Sequence, residues 1–204
     1  MLVLPGAIRN RQISINWTGW SGPARPWQAD AVRAFLITGN PGSGKSTLAV
    51  HLRQRGVSAV DADDLALWED ASGTPVTPPA DVDGAWQLAH RWVWNRARIE
   101  AAIAASGNPG GVTFVCGIAV NQHRMLDLFE RVFLLTIDAD AQDARLALAT
   151  SPQRTDAVKR QIRDGRAGFQ ATMLAAGAVP LDATASPASL ADTVLAMVDA
   201  PRER

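Results

Sequence analysis

The segment Gly39-Asn40-Pro41-Gly42-Ser43-Gly44-Lys45-Ser46 restricts what this chain can fold into more than any other part of it. It matches the pattern G-x-x-x-x-G-K-[ST], and its flanks are those the pattern requires. Before it, Ala34-Phe35-Leu36-Ile37-Thr38 is an apolar run that predicts a strand; after it, Leu48, Ala49 and Leu52 recur at helical spacing and predict a helix over 46–55. The glycines let successive backbone N–H groups turn toward one point, and the amino-terminal end of the helix adds positive potential there. Gly39 to Ser46, together with Thr47, therefore form the expected cradle for a nucleotide triphosphate. Lys45 is placed to meet the β- and γ-phosphates, and the Ser46 hydroxyl to complete a magnesium coordination shell.

Four further apolar runs read as strands: Val57 to Val60, Val112 to Cys116, Val132 to Ile137 and Ala178 to Leu181. Val112 to Cys116 is apolar almost throughout, as a strand in the middle of a parallel sheet is. Helical spacing separates them, over 84–105, 122–129, 141–149, 159–175 and 187–198, with the proline-rich 72–83 as a loop. Strands alternating with helices specify an α/β fold, a three-layer α/β/α sandwich around a five-stranded parallel sheet. At 204 residues the chain is long enough for one well-buried domain and short for two. We read residues 1–33, which have no sustained period, as an N-terminal extension and 34–198 as the domain.

Twenty basic residues balance twenty acidic ones, and no continuous basic stripe is present, so no nucleic-acid partner is expected. No apolar run approaches the length that spans a bilayer, and no leader is recognised at the amino terminus, which predicts a cytoplasmic protein with no membrane partner. Cys116 is the single cysteine and reads as core; His51, His90 and His123 match no metal-ligand spacing.

At the end of the second strand, Asp61 and Asp63 are two residues apart, which in an extended segment sends both carboxylates to one side. At that edge of the sheet Asp61 is a candidate for a magnesium ligand or a base, and Asp63 for a contact to a substrate hydroxyl. The acidic trio Asp61, Asp63 and Asp64 also suits an Asx turn plus a helix cap, with Asp64 or Asp63 capping Leu65 onward. Between 145 and 166 six basic residues stand against two acidic ones, with Lys159, Arg163 and Arg166 on one helical face. Such a face either closes over a triphosphate or is an ordinary solvated surface; Arg145, Arg154 and Arg163 are the individual candidates. Trp68, Trp86, Trp92 and Trp94 bracket the middle of the chain, and could surround an acceptor or fill a core.

The loop, the Asp61-x-Asp63 element, Gly117 after the third strand and Val179-Pro180-Leu181-Asp182-Ala183-Thr184 together resemble the small P-loop kinases. That group includes shikimate, gluconate, adenylate and nucleoside kinases, and the resemblance spans roughly 34–198. It implies the P-loop NTPase fold, ATP and Mg2+ as cofactors, and transfer of the γ-phosphoryl group to a hydroxyl or phosphate of a small metabolite. It also implies a substrate-binding helical region over about 64–106 and a lid over about 145–166. In those terms Lys45, Asp61, Asp63, Arg124 and Arg145 are catalytic, and Ser46 and Asp61 hold the metal. Gly117, Arg124, Trp68, Trp92, Arg154 and Arg163 belong with Asp63 to the acceptor's surroundings, and Asp182, Ala183 and Thr184 lie near the adenine. Arg145-Leu146-Ala147-Leu148-Ala149-Thr150 lacks the second arginine of many nucleotide kinases, which inclines the reading toward a hydroxyl acceptor. The expected partner is a small-molecule acceptor, and the expected state is a monomer or homodimer. The competing reading is a regulatory nucleotide-binding protein with slow hydrolysis.

Overall fold

A strand with no polar face has to be covered on both sides, and the strand that leads into the phosphate loop is central for that reason. In the computed structural model, which describes residues 32–105, 111–148 and 155–199, this strand, β1 (Arg33–Gly39), is followed by α1 (Lys45–Gln54) and β2 (Ser58–Asp61). A 3-10 turn over Ala62–Leu65 leads into β3 (Ala66–Glu69), β4 (Pro75–Val76), α2 (Gly84–Ala89), β5 (Arg91–Trp94) and α3 (Arg96–Ala105). The chain continues through β6 (Val112–Cys116), a second 3-10 turn over Gln122–Leu128, and β7 (Arg131–Thr136). It closes with α4 (Ala139–Leu148), α5 (Asp156–Ala175), β8 (Val179–Asp182) and α6 (Pro187–Asp199).

The five expected strands form one sheet in the order β2-β6-β1-β7-β8, every pairing parallel. Alternation along β1 divides the core in two. Phe35 and Ile37 face α1 and α6, packing with Phe114, Phe133, Leu48, Leu52 and Val194. Ala34 and Leu36 face the other layer, with Val115, Trp94, Ile99, Phe129 and Met173. The Phe35 and Phe114 rings, side by side on adjacent strands, have centroids 5.5 Å apart. At the opposite end of β1 from the loop, Arg33 makes a two-pronged bond to Glu130, at 2.9 and 2.8 Å.

The single long helix expected over 84–105 is a correction the structure makes. Helix α2 stops at Ala89, His90 is extended, and Arg91–Trp94 forms a strand antiparallel to β3. With β4, which falls inside the expected 72–83 loop, these make a three-stranded sheet in the order β4-β3-β5. The region expected to be helical over about 64–106 is therefore mixed. The physical reason is pairing at a distance: aromatic and β-branched side chains in Arg91-Trp92-Val93-Trp94 prefer a pleated surface once β3 is there to accept it. Trp68 lies opposite Trp92 in the register, their ring centroids 4.9 Å apart. The sheet is stitched to the main domain by Val120, whose N–H donates to Trp92 O, and by Asn121, whose carboxamide accepts from Trp94 N and donates to Trp94 O, each at 2.9 Å.

Phe114 is fully buried at the centre of the first core layer. Phe114→Ala is expected to cost about 3–5 kcal/mol of stability, read as a lower urea midpoint. Leu88→Ala, at a position 46% exposed, is expected to change stability by no more than about 0.5 kcal/mol.

Candidate functional site

Parallel strands bring their carboxyl ends to one edge, and there the loop between β1 and α1 borders an open cleft. Gly42 and Gly44 take φ of 86° and 98°, a left-handed conformation that a side chain at either position would strain. Ser43 N–H donates back to Asn40 O at 3.0 Å, closing the turn. The first helical bond of α1 runs from Leu48 N to Gly44 O. The start of α1 precedes it, and the positive end of the helix there faces the loop as an anion site.

The loop's carbonyls point the other way and are captured from α4. Arg145 donates to Gly42 O and Ser43 O, both at 3.2 Å, and to Ala183 O at 2.7 Å, binding the loop to the segment after β8. Lys45 Nζ folds back onto Gly39 O at 2.7 Å and Asn40 O at 3.1 Å, so its ammonium is poised over the loop. Asn40 Oδ1 and Ser43 Oγ are buried without a hydrogen-bond partner among the described residues, a cost that a bound ligand or water would relieve. The open cleft beside the loop has a volume of about 410 Å³ and is lined by Ser46, Thr47, Asp63, Ile118, Arg145 and Ala183, among others.

The acidic pair departs from its expected geometry. Asp61 ends β2, but Asp63 lies in the 3-10 turn, so the argument from an extended segment does not hold. Asp61 caps the turn instead, its Oδ1 accepting from Asp63 N at 3.1 Å. Asp63 is exposed and faces the phosphate-loop cavity; Asp61 is half-buried and is not on its wall. The cap expected from Asp63 or Asp64 is therefore supplied by Asp61, and Asp63 is the member of the pair on the cavity wall.

Gly117 is required by packing. A methyl group there would lie 2.7 Å from Ala62 Cβ and 3.1 Å from the Trp94 ring, so the residue lets β5 close onto the end of β6. Arg124 does not meet the phosphate-loop cavity. It lines a separate space of about 330 Å³ with Glu69, Arg91, Asn121 and His123. Burial, and then the charge of Arg124, hold the His123 imidazole below its usual pKa. Ile118 lines the first cavity and Val120, two residues on, lines the second. Trp68 and Trp92 form an aromatic cluster with Trp86, whose ring stacks on His90 at 3.9 Å. Arg163 lies against α4, bonded to Asp143 at 2.6 Å. Arg154 is outside the described residues.

Asp182 and Thr184 form a turn in which Asp182 Oδ1 accepts from Thr184 N–H at 2.8 Å and its hydroxyl at 2.7 Å. These two bonds hold the Asp182 carboxyl below the usual carboxylate range, with Arg145 assisting. Ala183 is the member of this trio on the cavity wall. Gln142, completely buried on α4, went unnoticed in the sequence; its spacing three residues before Arg145 puts it on the same helical face and was the available signal. Among the described residues no cluster of three or more His, Cys, Asp or Glu side chains could hold a metal, and no helix is long and apolar enough to cross a membrane.

This architecture is the P-loop NTPase fold, the fold of the small P-loop kinases. A shikimate kinase from Acinetobacter baumannii, solved in complex with shikimate, superposes with a TM-score of 0.53 at 16% identity, over 83% of this chain and 94% of that one. A shikimate kinase from Bacteroides thetaiotaomicron gives 0.50 at 16% identity, over 83% and 100%. No protein-family model matches the chain, and no curated protein matches it in sequence.

Cys116 is 1% exposed, and burial pushes its thiol up to about 12. It is expected to resist a thiol reagent at pH 8 in the folded protein and to react with one equivalent in urea. Because the thiol is harder to ionise folded than unfolded, its contribution to stability is present below about pH 9 and is lost as the pH rises toward 12.

Proposed function

We propose that the chain is an ATP-dependent phosphotransferase that moves the γ-phosphoryl group to a hydroxyl of a small metabolite. The observation that carries this reading is the shared cavity: the phosphate loop, Ser46, Asp63 and Arg145 all line one space at the carboxyl edge of the sheet. Its volume, about 410 Å³, is in the range of small-molecule sites.

The donor set suits a nucleotide triphosphate. The amino-terminal end of α1, the Lys45 ammonium and the Arg145 guanidinium supply positive potential, and the carboxylate of Asp63 stands at the same cavity. Magnesium, when bound, would draw charge from the phosphates; Ser46, on the cavity wall, would hold it, while Asp61 stays off that wall as the cap of the turn that carries Asp63. Lys45, now resting on the carbonyls of Gly39 and Asn40, would exchange those acceptors for phosphate oxygens. Asp63 orients the acceptor hydroxyl and takes its proton as the acceptor oxygen bonds to the γ-phosphorus and the bond to the bridging oxygen breaks. ADP leaves with the electron pair of that bond. The exposure of Asp63 matches an acceptor that enters from solvent.

The resemblance to shikimate kinases supports this reading at the level of fold, and the acceptor proposed is a hydroxyl compound over a nucleoside monophosphate because the second arginine after Arg145 is missing. The cytoplasm is the proposed compartment, and a small-molecule acceptor rather than nucleic acid the proposed partner.

The test is ADP formation from ATP and Mg2+ with pooled sugars, nucleosides, nucleoside monophosphates and small polar alcohols. One pool is expected to raise turnover, Lys45→Ala to lower kcat/KM by about 10²–10³-fold, and Asp63→Asn to lower kcat by about 10²-fold with ATP binding kept. Tight ATP binding with no pool active, joined to nucleotide-dependent oligomerisation, would favour the regulatory reading instead.

A further inference from the structure

The phosphate loop is held from behind by a side chain with no place in the reaction as proposed. Gln142 is completely buried, and its Nε2 donates to Pro41 O at 3.1 Å. Its Oε1 accepts from the Arg166 guanidinium of α5 at 3.2 Å. Because a guanidinium only donates and a carbonyl only accepts, this pairing permits one orientation of the carboxamide. With Arg166 on the oxygen, the NH2 group must face Pro41.

We infer that Gln142 is a positioning residue for the bound nucleotide, oriented by Arg166. In a trans peptide the C=O and the following N–H point in opposite directions. Fixing Pro41 O toward α4 therefore fixes the Gly42 N–H away from it, toward the inside of the loop. Arg145 does the same for the next two carbonyls, so three consecutive peptides are set by two residues one helical turn apart. Gln142 carries the restraint on to α5 through Arg166, beside the Arg163–Asp143 pair that fastens the same two helices. The affinity of the loop for phosphate is thereby coupled to the seating of α5.

The inference rests on reading the loop as a triphosphate cradle, but it does not require the acceptor to be known. The experiment is calorimetric binding of Mg-ADP to the full chain and to Gln142→Glu, Gln142→Met and Arg166→Met, with a melting temperature for each. Gln142→Glu separates two roles. It keeps an acceptor for Arg166, so a simple clasp between helices would be kept or strengthened, yet it has no proton to give Pro41 O at neutral pH.

The expected result is a loss of about tenfold in ADP affinity for Gln142→Glu and Gln142→Met, the worth of one hydrogen bond. Arg166→Met is expected to show a smaller loss of affinity, with a lower melting temperature because the buried Gln142 Oε1 is left without its donor. The Gln142→Glu deficit relative to the native protein should shrink as the pH falls, because the protonated acid can again donate. Native affinity in both Gln142 variants, or a Gln142→Glu deficit that does not respond to pH, would overturn the inference. Should Gln142→Glu fail to fold, native ADP affinity in Arg166→Met would overturn it by itself. Native protein that binds ADP but phosphorylates nothing would defeat the kinase reading and leave this one standing; native protein that does not bind ADP would defeat both.

Discussion

A loop can present its amides to an anion only if its carbonyls are satisfied on the opposite side, and in this protein that condition is met by α4. Arg145 and Gln142 take the carbonyls of Pro41, Gly42 and Ser43, which are otherwise three buried or half-buried acceptors in a turn that has no regular structure to pair them. The arrangement links parts of the chain a hundred residues apart. Helix α4 follows β7, β7 lies beside β1 in the sheet, and the short connection over 137–138 drops the helix directly behind the loop. The parallel sheet is thus what brings the two ends of the interaction together.

The same edge explains why the acidic turn belongs to the cavity. Strand β2 is the outermost on its side, separated from β1 by β6, so a residue at its end would face open solvent if the chain ran straight on. The 3-10 turn that Asp61 caps bends the chain back, and Ala62 packs against the position of Gly117 at the end of β6. One missing side chain at Gly117 allows Ala62 and Trp94 to meet over it. The turn carrying Asp63 and the antiparallel sheet carrying Trp94 are anchored at that same point, and a larger residue there would disturb both.

The five-stranded sheet and the loop were legible because their signals are local. Apolar runs of buried parallel strands, a glycine-rich turn and the helix after it all lie within a few residues of one another. What was not legible depends on partners distant in sequence. Nothing near Arg91-Trp92-Val93-Trp94 says that β3 will lie beside it, and helical spacing through Trp86, His90, Val93 and Ala97 is satisfied by accident when the chain in fact breaks at His90. Asp61 and Asp63 were misread for a related reason: spacing predicts a common side only if the backbone stays extended, and the carboxylate of Asp61 itself provides the bond that curls it. Gln142 was hidden by its ordinariness, since a glutamine in a helix reads as surface until a carbonyl and an arginine are found on either side of it.

The basic helix illustrates how charge in sequence differs from charge in space. Arg163 and Arg166 do share one face of α5, as their spacing requires, but that face meets α4, where Asp143 and Gln142 accept from them. An arginine committed to a neighbouring helix contributes to the cavity through the position of that helix and only weakly through its field, which falls off in the surrounding solvent. Among the described residues of this group Arg145 is the cation that reaches the cavity wall, and it does so while holding two loop carbonyls and Ala183 O. Its charge and its hydrogen bonds therefore act at one place, which is why a single arginine on α4 is sufficient to tie the loop, the segment after β8 and the anion-binding space into one unit.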